Sequence, residues 1–144
     1  MKELTIEAKV ENLADVLSFI DSELEANDCP MKIQMQIDVA VEELFVNIAN
    51  YAYAPNVGEA VIGIEITEGN SENSGEENGK YACISFRDSG IPFDPTSKVD
   101  PDVTLSAEKR QIGGLGIFMV KKSMDVFEYR YEDGQNMLTI KKKL

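Results

Sequence analysis

Apolar residues recur along this chain with two different periods, and the points where the period changes mark the predicted elements. Residues 2–10 set Leu4, Ile6 and Ala8 against Thr5, Glu7 and Lys9, the alternation of a strand with one covered face. Asn12 is placed as the N-cap of a helix carrying Leu13, Val16, Leu17, Ile20 and Leu24, which ends near Asn27. Pro30 suits the first turn of a second, longer helix that runs through Ile33, Ile37, Val41, Leu44 and Ile48 and stops before Pro55. The period returns to two in residues 59–67, with Ala60, Ile62, Ile64 and Ile66 on one face and Val61, Gly63, Glu65 and Thr67 on the other.

Residues 68–80 contain no large apolar group and predict a flexible hairpin loop. The sheet resumes over 81–87 with Ala82, Ile84 and Phe86 on one face, and turn chemistry fills 88–95. Residues 96–112, with Pro101, many charges and few large apolar groups, read as a long loop. A glycine cluster at 113–116 then feeds a helix carrying Leu115, Ile117, Phe118, Val120 and Met124. Two strands, 126–131 and 135–142, follow around Asp133-Gly134, a dipeptide favoured in tight hairpins. This order predicts an α+β two-layer sandwich, a mostly antiparallel sheet covered on one face by helices and open on the other.

The 144 residues suit one domain, and 43% hydrophobic with 28% charged residues is an ordinary globular composition. Histidine is absent, which excludes histidine acid–base catalysis, Ser-His-Asp hydrolysis and histidine-ligated zinc. Cys29 and Cys83 lack CxxC spacing and are expected as reduced, half-buried thiols. A formal charge of −12 argues against nucleic acid as a direct partner, while a basic protein partner is favoured. No stretch has the length of a membrane span and residues 1–11 are too acidic for a secretory signal, so a cytoplasmic protein is expected.

Three islands interrupt the plain patterns. On the long helix, Glu43, Asn47 and Asn50 form a polar stripe beside the apolar sector of Ile37, Val41, Leu44, Phe45 and Ile48. Polar groups at the wall of a core must be paired or bind something, so the stripe holds either structural polars or site residues. The second island is Asp88-Ser89-Gly90-Ile91-Pro92-Phe93-Asp94-Pro95. It is either a simple turn or an acceptor for a flat ligand's amino group beside a glycine that permits close approach. The third, Gly113-Gly114-Leu115-Gly116, opens a helix, as a tight packed loop or as a cradle of backbone N–H groups for phosphate.

In order and spacing, these islands resemble the GHKL ATP-binding superfamily, which includes gyrase, heat-shock chaperone ATPases and histidine kinases. Glu43-Leu-Phe-Val-Asn47 matches its ExxxN box, Asp88 to Phe93 its DxGxxF box, and Gly113-Gly114-Leu115-Gly116-Ile117 its GxGI-like box. Within the superfamily the chain is most similar to the stand-alone anti-sigma factor serine/threonine kinases of bacteria, through DSGIPFDP and GGLGIFMVKKSMD. The resemblance implies the Bergerat fold over residues 1–144, with 96–112 as a mobile ATP lid. It implies ATP and Mg²⁺ as cofactors, Asn47 as the metal ligand and Glu43 as catalytic base. Asp88 would receive the adenine amino group, Gly90 and Phe93 would shape that pocket, and Gly113, Gly114, Leu115 and Gly116 would line the phosphate side. Family members act on a STAS-domain anti-anti-sigma protein, hold a sigma factor inactive and are commonly homodimers.

Two positions depart from the family pattern: Tyr51 stands where many relatives carry histidine, and Asn50 matches no motif. The basic lid residue expected near the terminal phosphate is either Lys109 or Arg110. The alternative reading is therefore a nucleotide-gated regulator that binds its partner without transferring phosphate.

Overall fold

A computed structural model describes residues 1–69, 78–95 and 114–144. The elements follow the apolar periods closely. Strand β1, Lys2–Glu7, half-buries Leu4 and Ile6 and exposes their neighbours. After a 3₁₀ turn at Val10–Asn12, helix α1, Leu13–Ala26, buries Val16, Ile20 and Leu24 one turn apart. Helix α2, Met31–Tyr51, begins after Pro30 and buries Ile37, Ala40, Val41, Leu44 and Phe45 along one side. Strands β2, Glu59–Gly69, and β3, Gly79–Asp88, pair with each other, and helix α3, Gly114–Ser123, precedes the β4–β5 hairpin of Val126–Glu132 and Gln135–Lys143.

Two expectations need correction. Asn12 stands at the N-cap of α1 but does not cap it with its side chain; its amide donates instead to the Glu7 carbonyl at 2.9 Å. The preceding 3₁₀ turn is the cause, since it already bends Asn12 away from the extended backbone that a capping side chain needs. The hairpin loop predicted over 68–80 is shorter, because β2 and β3 continue to the Glu68–Lys80 and Gly69–Gly79 pairs. Backbone ladders extend there without any apolar side chain to announce them. Residues 70–77 of that loop, and the whole of 96–112 together with Gly113, lie outside the described residues.

The sheet has the strand order β1-β2-β3-β5-β4, and every ladder among the described residues is antiparallel. Strand β5 is therefore inserted between β3 and β4. Register sets the inward face: Leu4 lies opposite Ile62, Ile62 opposite Phe86, and Phe86 opposite Leu138. These residues and the buried sides of α1, α2 and α3 make one continuous core, giving the expected α+β two-layer sandwich. Helix α2 packs against both α1 and α3. On the other face of the sheet, Gly63 leaves space for the Met1 side chain, whose sulfur accepts a hydrogen bond from the Ser85 hydroxyl at 3.4 Å. Neither cysteine is in a disulfide, and both are half-buried. Among the described residues, no helix is long and apolar enough to cross a membrane.

Candidate functional site

Asp88 is the last residue of β3, and its register directs it inward with Ile84 and Phe86, so it is only 6% exposed. A carboxylate so placed must be hydrogen-bonded to be tolerated. Its Oδ1 accepts from the Gly90 N–H at 2.9 Å and from the Asn136 side-chain amide at 2.9 Å. Asn136 is the direct cross-strand partner of Asp88 on β5, also 6% exposed. Its Nδ2 donates in addition to the Ile91 carbonyl at 2.9 Å, while its Oδ1 accepts from the Phe93 N–H at 3.1 Å and the Tyr129 hydroxyl at 2.5 Å. The turn after β3 is thus tied along its length to β5.

The same turn is held by the end of α2. The Ile91 N–H donates to the Ala52 carbonyl at 3.0 Å, satisfying one of the acceptors left over at a helix C-terminus. Gly90 is required for this approach, because a Cβ there would lie 2.2 Å from the Ala52 oxygen. Tyr53 adds a second tie: its hydroxyl donates to the Glu59 carbonyl at 2.6 Å and accepts from the Ser89 N–H at 2.7 Å.

Between these elements lies an open-mouthed cavity of about 60 Å³. Leu44, Asn47, Ile48 and Tyr51 of α2 form one wall, and Ile91, Phe93 and Pro95 of the turn another. Ile117 of α3 and Tyr129 and Leu138 of the sheet complete it, with Asp88 and Asn136 supplying polar groups. An apolar slot with a few convergent polar atoms is the form expected of a small-molecule or cofactor site. Burial pushes the Tyr129 hydroxyl above its ordinary pKa, although a hydrogen bond with the Phe93 backbone works in the opposite direction, so at neutral pH the group is a donor.

Glu43 lies one turn before Asn47, half-buried, with its carboxylate against the first turn of α3. A Cβ at Gly116 would fall 2.0 Å from Glu43 Oε2, so this approach exists only because residue 116 has no side chain. The structure therefore brings Asn47, Asp88 and Phe93 to one cavity, sets Gly90 behind it, and joins Glu43 to Gly116 beside it. Gly114 opens α3 and Leu115 follows it, while Gly113, Lys109 and Arg110 lie outside the described residues. Asn50 is exposed and apart from the cavity, and Tyr51 stands at its mouth, 38% exposed.

Sequence reasoning missed Asn136, Tyr129 and Tyr53. Asn136 left a signal, a polar residue in phase with Leu138 and Ile140 on the apolar side of its strand. Its partner could not be named without the β3–β5 register.

Among the described residues, no three acidic, cysteine or histidine side chains gather as for a dedicated metal cage. The donor set suits Mg²⁺ held jointly by Asn47, waters and phosphate oxygens, since that ion commonly takes few protein ligands. The apolar slot and the buried acceptor fit a nucleotide base in the same way.

The family model of the histidine kinase-like ATPase domain matches residues 6–142. Serine/threonine-protein kinase BtrW of Bordetella bronchiseptica is 25% identical over 109 residues, which cover 76% of this chain and 70% of that protein. Serine-protein kinase RsbW of Bacillus cereus is 30% identical over 104 residues, covering 72% of this chain. RsbW of Bacillus anthracis is 29% identical over 107 residues. The match spans only 60% of the length of either Bacillus relative. With nearly its whole length matched, the chain belongs to the histidine kinase-like ATPase domain family.

Proposed function

We propose that this protein binds ATP with Mg²⁺ and transfers the terminal phosphoryl group to a serine or threonine hydroxyl of a STAS-domain anti-anti-sigma protein, and that it sequesters a sigma factor. The observation that carries this reading is the convergence of Asn47 and Asp88, from separate sequence boxes, on one cavity with Glu43 lodged on Gly116 beside it. The serine/threonine kinase names of the relatives support the choice of reaction.

In this reading Asp88 accepts the adenine amino group, and Gly90 and Phe93 shape the space for the ring. Asn47 contributes a neutral oxygen to the metal, which when bound offsets phosphate charge. Gly113, Gly114, Leu115 and Gly116 border the phosphates at the positive end of α3. Glu43 takes the proton of the partner's hydroxyl; that oxygen bonds the terminal phosphorus while the bond to the bridging oxygen breaks and ADP leaves.

The test uses labelled ATP with a STAS-domain partner. The wild-type protein is expected to label the partner, and Glu43→Ala to lower the rate by about 10²–10⁴ while still binding nucleotide. Undiminished labelling by Glu43→Ala would remove that residue from the role of base. No labelling by a wild-type protein whose partner affinity still responds to nucleotide would instead establish the non-catalytic regulator.

A further inference from the structure

We propose that Asn136, held by Tyr129, is a positioning residue that makes Asp88 selective for a base bearing an exocyclic amino group. This rests on the reading of Asp88 as the base acceptor. The orientation of the Asn136 amide follows from its partners. The Phe93 N–H can only donate, so it must face the amide oxygen, at 3.1 Å. The Asp88 carboxylate and the Ile91 carbonyl can only accept, so they must face the amide nitrogen, each at 2.9 Å. With the oxygen so placed, the Tyr129 hydroxyl bonds to it as a donor. An amide flip would break the bonds to Phe93, Asp88 and Ile91 at once, since none of those partners can reverse its role.

The consequence falls on Asp88. Among the described residues both of its donors, Gly90 N–H and Asn136 Nδ2, act on Oδ1, and none acts on Oδ2. The carboxylate is thereby fixed in rotation as well as in place, with one oxygen committed to the protein and the other kept for an incoming donor. A ring amino group satisfies Oδ2. A ring oxygen in the same place would set acceptor against acceptor, which is costly. Asn136 also borders the cavity, but its amide hydrogens and oxygen are all engaged by protein groups, and so it acts on selectivity rather than on chemistry.

The experiment compares binding of ATP and of purine riboside triphosphate, which lacks the 6-amino group, by calorimetry. Asn136→Asp keeps an acceptor for Phe93 and Tyr129 but replaces the donor facing Asp88 by a second carboxylate oxygen. The wild-type preference for ATP is expected to shrink about tenfold in this variant, the scale of losing one hydrogen bond to a charged group, with the analogue's own affinity nearly unchanged. Tyr129→Phe, which spares the amide, should reduce the preference by a smaller factor and guards against misfolding of the first variant. A merely structural role would weaken both nucleotides equally, and that result, or an unchanged preference in Asn136→Asp, overturns the inference while leaving ATP binding intact. A wild-type protein that binds both nucleotides equally would overturn the reading of Asp88 itself, and this inference with it.

Discussion

Gly90 and Gly116 both stand where a side chain would collide, yet substituting them should have opposite effects. At Gly90 the collision is with the Ala52 backbone carbonyl, which the end of α2 holds in place. Gly90→Ala should therefore cost about 1–3 kcal/mol and lower the melting temperature. At Gly116 the collision is with the far end of the Glu43 side chain, which can swing aside. Alanine is also the better helix former by up to about 1 kcal/mol, so Gly116→Ala should melt at or above the wild-type temperature while losing phosphotransfer. Thermal melts paired with the labelling assay check both, and a Gly116→Ala protein with full activity would separate Glu43 from the reaction. Residues such as Asp88 and Asn47 were legible in the sequence because each interrupts an apolar pattern inside a recognisable box. Asn136 interrupts one equally but belongs to no box, and its meaning depends on a cross-strand pairing that local sequence does not encode.

Among the elements, α2 has two loaded sides. Leu44 is 2% exposed beneath it, and Leu44→Ala should cost about 2–5 kcal/mol in denaturant unfolding. A near-neutral result would mean that the helix is rotated, moving Glu43 and Asn47 with it. Toward α1, Asp38 is half-buried near Asp21, and burial first, then hydrogen bonding and charge from Asp21 and charge from Glu25, push it up to about 7. An unfolded aspartate titrates near ~3.9, so between these values the folded state holds the extra proton and stability falls as pH rises, levelling above about 7. Asp38→Asn removes this dependence, and its melting temperature should gain on the wild type between about pH 5 and pH 8. A constant difference across that range would contradict the assignment. The helices and strands were legible because their apolar periods are unbroken. The outer ends of β2 and β3 were not, since only main-chain bonds and the Glu68–Lys80 pair mark them.

At the scale of the whole molecule, the order of elements predicted the two layers, but not the insertion of β5 between β3 and β4. That insertion sets Asn136 beside Asp88, and so completes a site whose boxes lie far apart in sequence. The cavity draws on both helices that flank it, the turn after β3 and the last two strands, so nucleotide binding reports on the fold as a unit. The most direct measurement is calorimetric titration of the wild-type protein and of Asp88→Asn with ATP and Mg²⁺. Micromolar binding by the wild type, abolished in a folded Asp88→Asn protein, is expected; a folded wild type that binds no ATP, or an Asp88→Asn protein that binds it equally well, would contradict the account.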